Sequence, residues 1–308
     1  MMQKMAASWL NWKMESYPDY QDFFLLPFLL LYFPTLRFIL DTSIFEKMAR
    51  RMVLGAKHGN VEIKKGPKRK KIDKFKESAW KFLHYFSSEL FALYVCYDEP
   101  WLTNTKYFWM GPGEGDHLWP DHKYKLKMKG YYMYAGGFYI YSIFALVFWE
   151  TRRSDFAASM AHHITSVFLI LSSYILRFGR VGSMVLLLHE GCDVFMEFAK
   201  MSRYSGFYGL SDLSFLGFVL SWLTGRLILF PFCVLKSTSY DVLFILDKDK
   251  HGTAEVIYYF MFNALLFGLM LLHIYWTKMI LRMLIGKIRN GEISDVRSDS
   301  ESDDEHDD

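Results

Sequence analysis

Two long stretches of the chain contain no charged residue. Residues 130–149 and 256–277 run for 20 and 22 residues without Asp, Glu, Lys or Arg. A helix of about 20 apolar residues crosses the hydrocarbon core of a bilayer, which is about 30 Å thick. Hydrophobic residues make up 52% of the 308 in the chain. Most of these hydrophobic residues lie in long blocks that are separated by short charged loops. The sequence therefore predicts a membrane protein with several spans rather than two soluble domains.

The predicted fold is all-α: a polytopic transmembrane helical bundle of about seven spans, with counts of six to eight compatible with the pattern. The fourth and fifth spans are short and polar, so we expect them inside the bundle, away from lipid. Loops are predicted for residues 98–129 and 236–253. The predicted spans cover residues 23–40, 78–97, 130–149, 162–178, 181–199, 213–235 and 256–277.

Basic residues set the predicted orientation of the bundle. Residues 47–76 contain twelve Lys and Arg against two acids, Glu62 and Asp73. Positively charged loops stay on the cytosolic side of a membrane. Placing this loop in the cytosol, with seven spans, puts the N-terminus in the lumen and the C-terminus in the cytosol. The composition suits contact with membrane lipids, and no nucleic-acid partner is predicted.

The C-terminal residues differ sharply in charge from the rest of the chain. Residues 291–308 hold nine acids and one arginine, whereas the whole chain has a formal net charge of +3. Such a composition predicts a disordered acidic tail. Ser298, Ser300 and Ser302 have acidic residues just downstream, which makes them candidate phosphorylation sites. We predict an organisation of 1–70 (N-terminal interfacial segment, first span and basic loop), 71–288 (catalytic domain) and 289–308 (tail).

Residues 161–203 carry polar groups that an ordinary membrane span would avoid. The first part begins with the adjacent histidines His162 and His163. The second part places ionisable residues about one helical turn apart, so that they form one polar stripe. Ionisable groups at membrane depth cost a few kcal/mol each and mark a pathway or a reaction site. The residues of this stripe are His189, Glu190, Asp193, Glu197 and Lys200.

Histidine in a membrane cavity serves as a general base, a nucleophile or a metal ligand. His189 and Asp193 share a helix face, and a carboxylate there is expected to orient one histidine of the 162–163 pair. Glu197 and Lys200 are expected to form an ion pair at a helix end. Isolated histidines in other spans, such as His273, are expected to be packed and hydrogen-bonded, and the mid-span Arg226 is expected to face protein or water.

A metal site is not predicted. Membrane diiron enzymes need about eight clustered histidines with HxxxH and HxxHH spacings, and neither spacing occurs in the chain. The three cysteines are scattered through apolar segments, so they indicate neither a disulfide framework nor a zinc site. Phosphate-binding and dinucleotide-binding glycine motifs are also missing from the sequence. No bound cofactor is therefore expected.

The stretch HHITSVFLILSSYILRFGRVGSMVLLLHEGCDVFMEFAKM resembles the Lag motif of the ceramide synthases. FKESAW at 75–80, YSIFALVFWETRRSDF at 141–156 and the acidic tail are similar to the plant branch of that family, which includes proteins linked to resistance to fungal toxins. The resemblance implies an N-acyltransferase of the endoplasmic reticulum membrane. Such an enzyme transfers a fatty acyl group from acyl-CoA, its co-substrate, to the amine of a sphingoid base. Homodimers and heterodimers are both left open.

The resemblance also implies site residues. The catalytic candidates are His162, His163, His189, Glu190 and Asp193. The family pattern His-Asp-x-x-Asp reads His-Glu-x-x-Asp here, so Glu190 extends its carboxylate by one methylene. The alternative is a related lipid-binding, sensing or transport protein without catalysis. The expected contacts for the CoA phosphates are Arg152, Arg153, Lys200 and Arg203.

Overall fold

A computed structural model describes residues 11–55, 65–111, 118–245 and 253–290. Within these ranges the chain forms seven long helices and a two-stranded antiparallel ladder of β1 (Glu15–Ser16) and β2 (Tyr124–Lys125). The acidic tail and its three serines lie outside the described residues. The helices are α1 (Tyr20–Leu54), α2 (Pro67–Cys96), α3 (Leu126–Phe148), α4 (Phe156–Ile175), α5 (Gly179–Tyr204), α6 (Tyr208–Ile245) and α7 (Thr253–Asn290).

Five of these helices are long and apolar enough to cross a membrane: α1, α3, α4, α6 and α7. The other two, α2 and α5, have 30 and 26 residues. At a rise of 1.5 Å per residue both are long enough to span the hydrocarbon core, although they carry more charge. The predicted polytopic helical bundle is confirmed, and each predicted span falls on one of the seven helices.

Two predicted loops are shorter than expected. α1 continues to Leu54 and α2 already begins at Pro67, so much of the basic segment 47–76 is helical. The helices are separated at glycines: Gly55 has φ of 81° and Gly66 has φ of 107°, a conformation that other residues rarely adopt. α6 likewise runs to Ile245, ten residues beyond the predicted end of its span.

The polar helix α5 lies inside the bundle, as predicted, and packs most extensively against α2 and α6. The prediction for α4 is only partly right, because Ile164 and Phe168 are 54% and 46% exposed. α4 packs mainly along α3, so its opposite face is left at the surface of the bundle. In a membrane that apolar face would meet lipid.

One end of the bundle, here called the loop end, is formed by residues 97–111 and 118–125 together with residues 11–19. The N–H of Leu126 donates to the carbonyl of Met14 (2.9 Å), and that of Lys127 donates to the carbonyl of Trp12 (3.1 Å). Lys129 donates to the carboxylate of Asp22 (2.9 Å). The N-terminal segment is therefore fixed across this end of α3.

The opposite end, here called the basic end, carries Arg152, Arg153, Lys200 and Arg203. α1 and α2 are joined there by Glu46, which accepts hydrogen bonds from Arg50 (2.8 Å), Arg69 (2.7 Å) and Lys76 (3.0 Å). This carboxylate neutralises part of the basic segment that we predict to be cytosolic.

Between Leu223 and Leu235, α6 is a π-helix. Its backbone hydrogen bonds span five residues instead of four, so the helix is wider there than a regular α-helix. Pro231 lies inside this stretch and cannot donate a backbone hydrogen bond, which disfavours regular α-helix around it. Gly225 allows the widened stretch to approach α5 closely: a Cβ at this position would lie 3.0 Å from the carbonyl oxygen of Leu188. The stretch also presents Arg226 to α5, in the centre of the bundle.

Candidate active site

The histidines of α4 and α5, which are far apart in sequence, meet in the middle of the bundle. The ring centroids of His162 and His163 are 5.6 Å apart, and His162 stacks on His189 at 6.4 Å. Tyr139 of α3 packs against both α4 histidines, with centroid distances of 6.3 and 5.8 Å. Three of the five predicted catalytic residues therefore lie in one cluster.

Both ring nitrogens of His189 have partners. The Nδ1 atom lies 2.6 Å from the carbonyl oxygen of Val185, which can only accept, so Nδ1 carries the proton of the neutral ring. The Nε2 atom lies 2.9 Å from Nε2 of His273 on α7. Since His189 has no second proton when neutral, His273 is the donor in this bond. His189 is therefore held in one tautomer by two neighbours.

His273 is buried and hydrogen-bonded, as predicted, but it belongs to the site. Its side chain is fully buried between His189, Trp222 and Phe230. Sequence reasoning did not assign it to the site, because an isolated histidine in an apolar helix carries no signal of which neighbour it meets.

His162 and His163 differ from His189 in having unused nitrogens. The Nδ1 atoms of both rings are buried and have no hydrogen-bond partner within the described residues. Buried polar atoms are nearly always hydrogen-bonded in native proteins, so an unpaired nitrogen calls for an explanation. The explanation here is that these nitrogens are left open for a bound ligand or for a proton that is transferred in a reaction.

Asp193 does not orient a histidine, contrary to the prediction. Its carboxylate forms an ion pair with Arg226 of α6 at 2.8 Å. The same guanidinium donates to the carbonyl of His189 (2.6 Å) and lies over the ring of Trp222 at 4.3 Å. A buried arginine needs a counter-ion, and the widened stretch of α6 brings Arg226 closer to Asp193 than any histidine. The prediction that Arg226 faces protein is confirmed.

Glu190 is directed away from the histidine cluster. Adjacent residues on a helix project about 100° apart, and Glu190 is turned toward Ser88 and Glu89 of α2. Its side chain is completely buried, and neither carboxylate oxygen has a hydrogen bond of normal geometry among the described residues. Glu89 lies beside it, because a Cβ at Gly191 would be 3.1 Å from Oε1 of Glu89. The longer reach of Glu relative to Asp therefore points toward α2.

At the basic end, two of the predicted phosphate contacts are engaged by acids. Arg153 donates to Glu77 at 3.2 Å, and Lys200 pairs with Glu197 at 2.7 Å, so the predicted Glu197–Lys200 ion pair is confirmed. Arg152 is exposed, and its guanidinium lies 4.3 Å from the ring centre of Phe156.

Arg203 lies 5.8 Å from the ring centre of Tyr208. Lys81 of α2 bridges Glu77 (3.1 Å) and Glu150 (2.6 Å). The positive charge of the basic end is thus partly balanced by acids, and Arg152 is the predicted contact that reaches furthest into solvent.

A cavity of about 570 Å³ begins at the histidine cluster and extends to the loop end. Its lining is almost entirely apolar. His189, Tyr139 and Ser166 line the end at the cluster, and Trp109, Trp119 and Phe178 line the other end. Sequence reasoning predicted apolar helices around the site but not this cavity, whose walls come from the loop end and from five helices, α3 to α7.

The fold and this site define a class: a polytopic helical membrane protein with a buried histidine cluster at the end of an apolar cavity. The chain belongs to the TLC-domain family, whose model matches residues 74–282. The chain is 55% identical over 306 residues to the ASC1-like protein of Solanum lycopersicum, covering 99% of each chain.

It is 54% identical over 301 residues to Ceramide synthase 1 LOH3 of Arabidopsis thaliana, covering 97% of each chain. It is also 54% identical over 306 residues to Alternaria stem canker resistance protein 1 of Solanum lycopersicum, covering 99% of this chain and 98% of that protein. The resemblance to plant ceramide synthases that the sequence indicates is therefore confirmed at the level of the family and its relatives.

Proposed function

We propose that the chain is a ceramide synthase that transfers a fatty acyl group from acyl-CoA to the amine of a sphingoid base. The observation that carries the proposal is the pair of histidines with unpaired Nδ1 atoms, His162 and His163, next to a long apolar cavity. The cavity suits a fatty acyl chain, and the histidines suit the acyl transfer. The names of the relatives support the same activity.

The reaction requires a proton acceptor. A sphingoid base reaches the membrane as an ammonium ion, which must lose a proton before its nitrogen attacks the thioester carbonyl. A carbon–nitrogen bond forms, the carbon–sulfur bond breaks, and the CoA thiolate takes up a second proton from the nitrogen. A neutral histidine of the 162–163 pair is the acceptor in a direct transfer.

In a two-step route, one of these histidines first attacks the thioester, the carbon–sulfur bond breaks, and CoA leaves as the thiol with the imidazole proton. The histidine then carries the acyl group as an acyl-imidazole. The amine then attacks that intermediate and the histidine leaves. Incubation with acyl-CoA alone, followed by mass spectrometry of the tryptic peptides, distinguishes the routes. An acyl adduct on His162 or His163 supports the two-step route, and its absence under conditions that trap such adducts supports direct transfer.

Three of the predicted catalytic residues take supporting roles in this proposal. His189 has both nitrogens occupied, so it holds the cluster together and presents His162 rather than transferring protons. Asp193 balances the charge of Arg226, which ties α6 to the backbone of His189. Glu190 faces α2, so its carboxylate can bind the amine of the sphingoid base only if the amine approaches from the α2 side.

The CoA part is expected at the basic end, where Arg152 and Arg203 are the candidates for phosphate contacts and Arg153 and Lys200 add positive charge. This end then faces the cytosol and the C-terminus is cytosolic, in the membrane of the endoplasmic reticulum. Neutralising Arg152 should raise the KM for acyl-CoA and leave kcat nearly unchanged.

The test uses yeast that lacks its own ceramide synthases. Microsomes containing the chain are supplied with sphinganine and a panel of acyl-CoAs, beside His162→Ala and His163→Ala at matched protein level. Loss of the general base should lower the rate about 10²- to 10⁴-fold. Lipid binding without turnover in the wild type would instead identify a non-catalytic member of the family.

A further inference from the structure

We propose that three aromatic side chains at the loop end of the cavity, Trp109, Trp119 and Phe178, set the longest acyl chain that the enzyme accepts. These residues are called the aromatic floor below. The inference rests on the proposed function, because it takes the cavity as the place of the acyl chain. It assigns chain-length selection to particular residues outside the histidine cluster.

The depth of the cavity follows from two of its helices. On α5, the lining extends from His189 to Val181, with Phe178 at the floor one residue before the helix begins. Eleven residues at 1.5 Å each place the floor roughly 16 Å from the histidine. On α7, the lining extends over fourteen residues from Leu269 to Glu255, or about 21 Å. The cavity is therefore elongated along the bundle, and the aromatic floor lies at its loop end beside the partly exposed Val256 and Phe260 of α7.

The walls give a polar ligand little to bind along this length. Thr238 and Asn263 line the cavity but bond to each other: the Thr238 hydroxyl donates to Oδ1 of Asn263 at 2.9 Å. The amide of Asn263 in turn donates to the carbonyls of Thr238 (3.0 Å) and Tyr259 (2.9 Å). Glu255 is half-buried at the rim. Apart from Ser166, Ser173, His189 and four tyrosines, the remaining lining is apolar, which matches a hydrocarbon chain.

The rings of the aromatic floor are packed against one another. Phe178 stacks on Trp119 with ring centroids 4.7 Å apart, and Phe262 packs on its edge at 4.8 Å. The indole N–H of Trp119 donates to the carbonyl of Leu176 (3.0 Å), and that of Trp109 donates to the hydroxyl of Ser237 (2.9 Å). Each indole is thus fixed in orientation.

Two arginines, Arg177 in the turn between α4 and α5 and Arg180 in the first turn of α5, hold the floor in place. Arg180 donates to the carbonyls of Tyr107 (2.9 Å) and Met110 (3.0 Å), and Arg177 donates to the carbonyl of Pro120 (2.9 Å). The segment that carries both tryptophans is therefore tied to the start of α5, the same helix that carries His189. The distance from cluster to floor cannot change without breaking these bonds.

The experiment measures the acyl-length profile of floor variants. Phe178→Ala deepens the cavity and keeps the hydrogen bonds of both indoles. The variant is assayed with acyl-CoAs from C16 to C26, and kcat/KM for the longest accepted chain is divided by kcat/KM for C16. This ratio should rise about tenfold or more, because each methylene in an apolar pocket is worth at least that much discrimination. Val181→Phe adds a ring above the floor and should shift the ratio the other way.

The matched control is Phe108→Ala, which removes the same kind of ring from the loop segment that carries Trp109. Phe108 is buried but does not line the cavity, so its variant should keep the wild-type ratio even where total activity falls. Should Phe178→Ala fail to accumulate, Phe178→Leu makes the smaller deletion.

The outcomes separate the two proposals. A wild-type ratio in active Phe178→Leu and Val181→Phe overturns the aromatic floor and leaves the proposed function intact. Absence of ceramide from the wild type with every acyl-CoA overturns the proposed function itself.

Discussion

At the residue scale, the chemistry of each histidine depends on how many of its nitrogens its neighbours occupy. His189 has no ring nitrogen left for a substrate, because its two nitrogens are hydrogen-bonded to Val185 and His273. His162 and His163 each keep an Nδ1 that has no partner among the residues that the structure describes. Three histidines that look equivalent in the sequence therefore fall into two kinds, one that supports the cluster and two that are available for acyl transfer.

Replacing His273 by Phe should weaken the reaction without abolishing it. The change removes the hydrogen bond to Nε2 of His189, which is worth about 0.5–1.5 kcal/mol, so the rate should fall by up to about tenfold. His273→Gln restores a donor and should recover part of the rate.

The control is His84→Phe, another buried histidine, on α2 and outside the cluster. Initial rates at matched protein level check the prediction. A loss in His84→Phe as large as that in His273→Phe would show that both changes act on folding alone.

The buried Asp193–Arg226 ion pair should contribute more to stability than the ion pairs at the surface of the protein do. Removing one partner, as in Asp193→Leu, leaves a buried charge unpaired and should cost about 3–5 kcal/mol. Asp193→Leu combined with Arg226→Met removes both charges and should recover most of that loss. Thermal unfolding of the purified variants in one detergent measures both effects, and equal melting temperatures for the single and double variants would contradict the ion-pair account.

At the scale of helices, the sequence predicts which helices form better than it predicts which helices contact each other. Uncharged apolar runs locate α3 and α7, and the polar stripe identifies α5 as an interior helix. Within that stripe, Asp193 finds its partner on α6 and His189 on α7, at a sequence distance that no periodicity reports. Arg226 pairs with Asp193 from the widened stretch of α6 that contains Pro231, so the predicted histidine–carboxylate pairing was wrong at this point.

The close approach of α5 and α6 can be tested at Gly225. Gly225→Ala places a methyl group 3.0 Å from the carbonyl oxygen of Leu188, so a helix must shift, at a cost of about 1–3 kcal/mol. Gly268→Ala on α7 is the matched control, because nothing lies within 4 Å of its Cβ and alanine favours helix. Melting temperatures should fall for Gly225→Ala and stay or rise for Gly268→Ala; the same fall in both would indicate that helix packing at Gly225 is not responsible.

At the scale of the whole molecule, the orientation in the membrane is the prediction with the widest consequences. Exposed positions at the two ends, Lys68 at the basic end and Thr103 at the loop end, are replaced by Cys. A membrane-impermeant maleimide should label Lys68→Cys in intact microsomes and Thr103→Cys only after detergent is added. The reverse pattern would put the loop end in the cytosol and contradict the site proposed for CoA.

The family match begins at residue 74, yet residues before it supply hydrogen-bond partners to the matched part. Met14 and Trp12 accept from the first N–H groups of α3, and Asp22 accepts from Lys129 and from the hydroxyl of Tyr174. A protein cut at residue 74 would leave these groups unpaired and uncover the face of α3 on which α1 packs. The N-terminal residues are therefore built into the packed bundle, although the family model leaves them out.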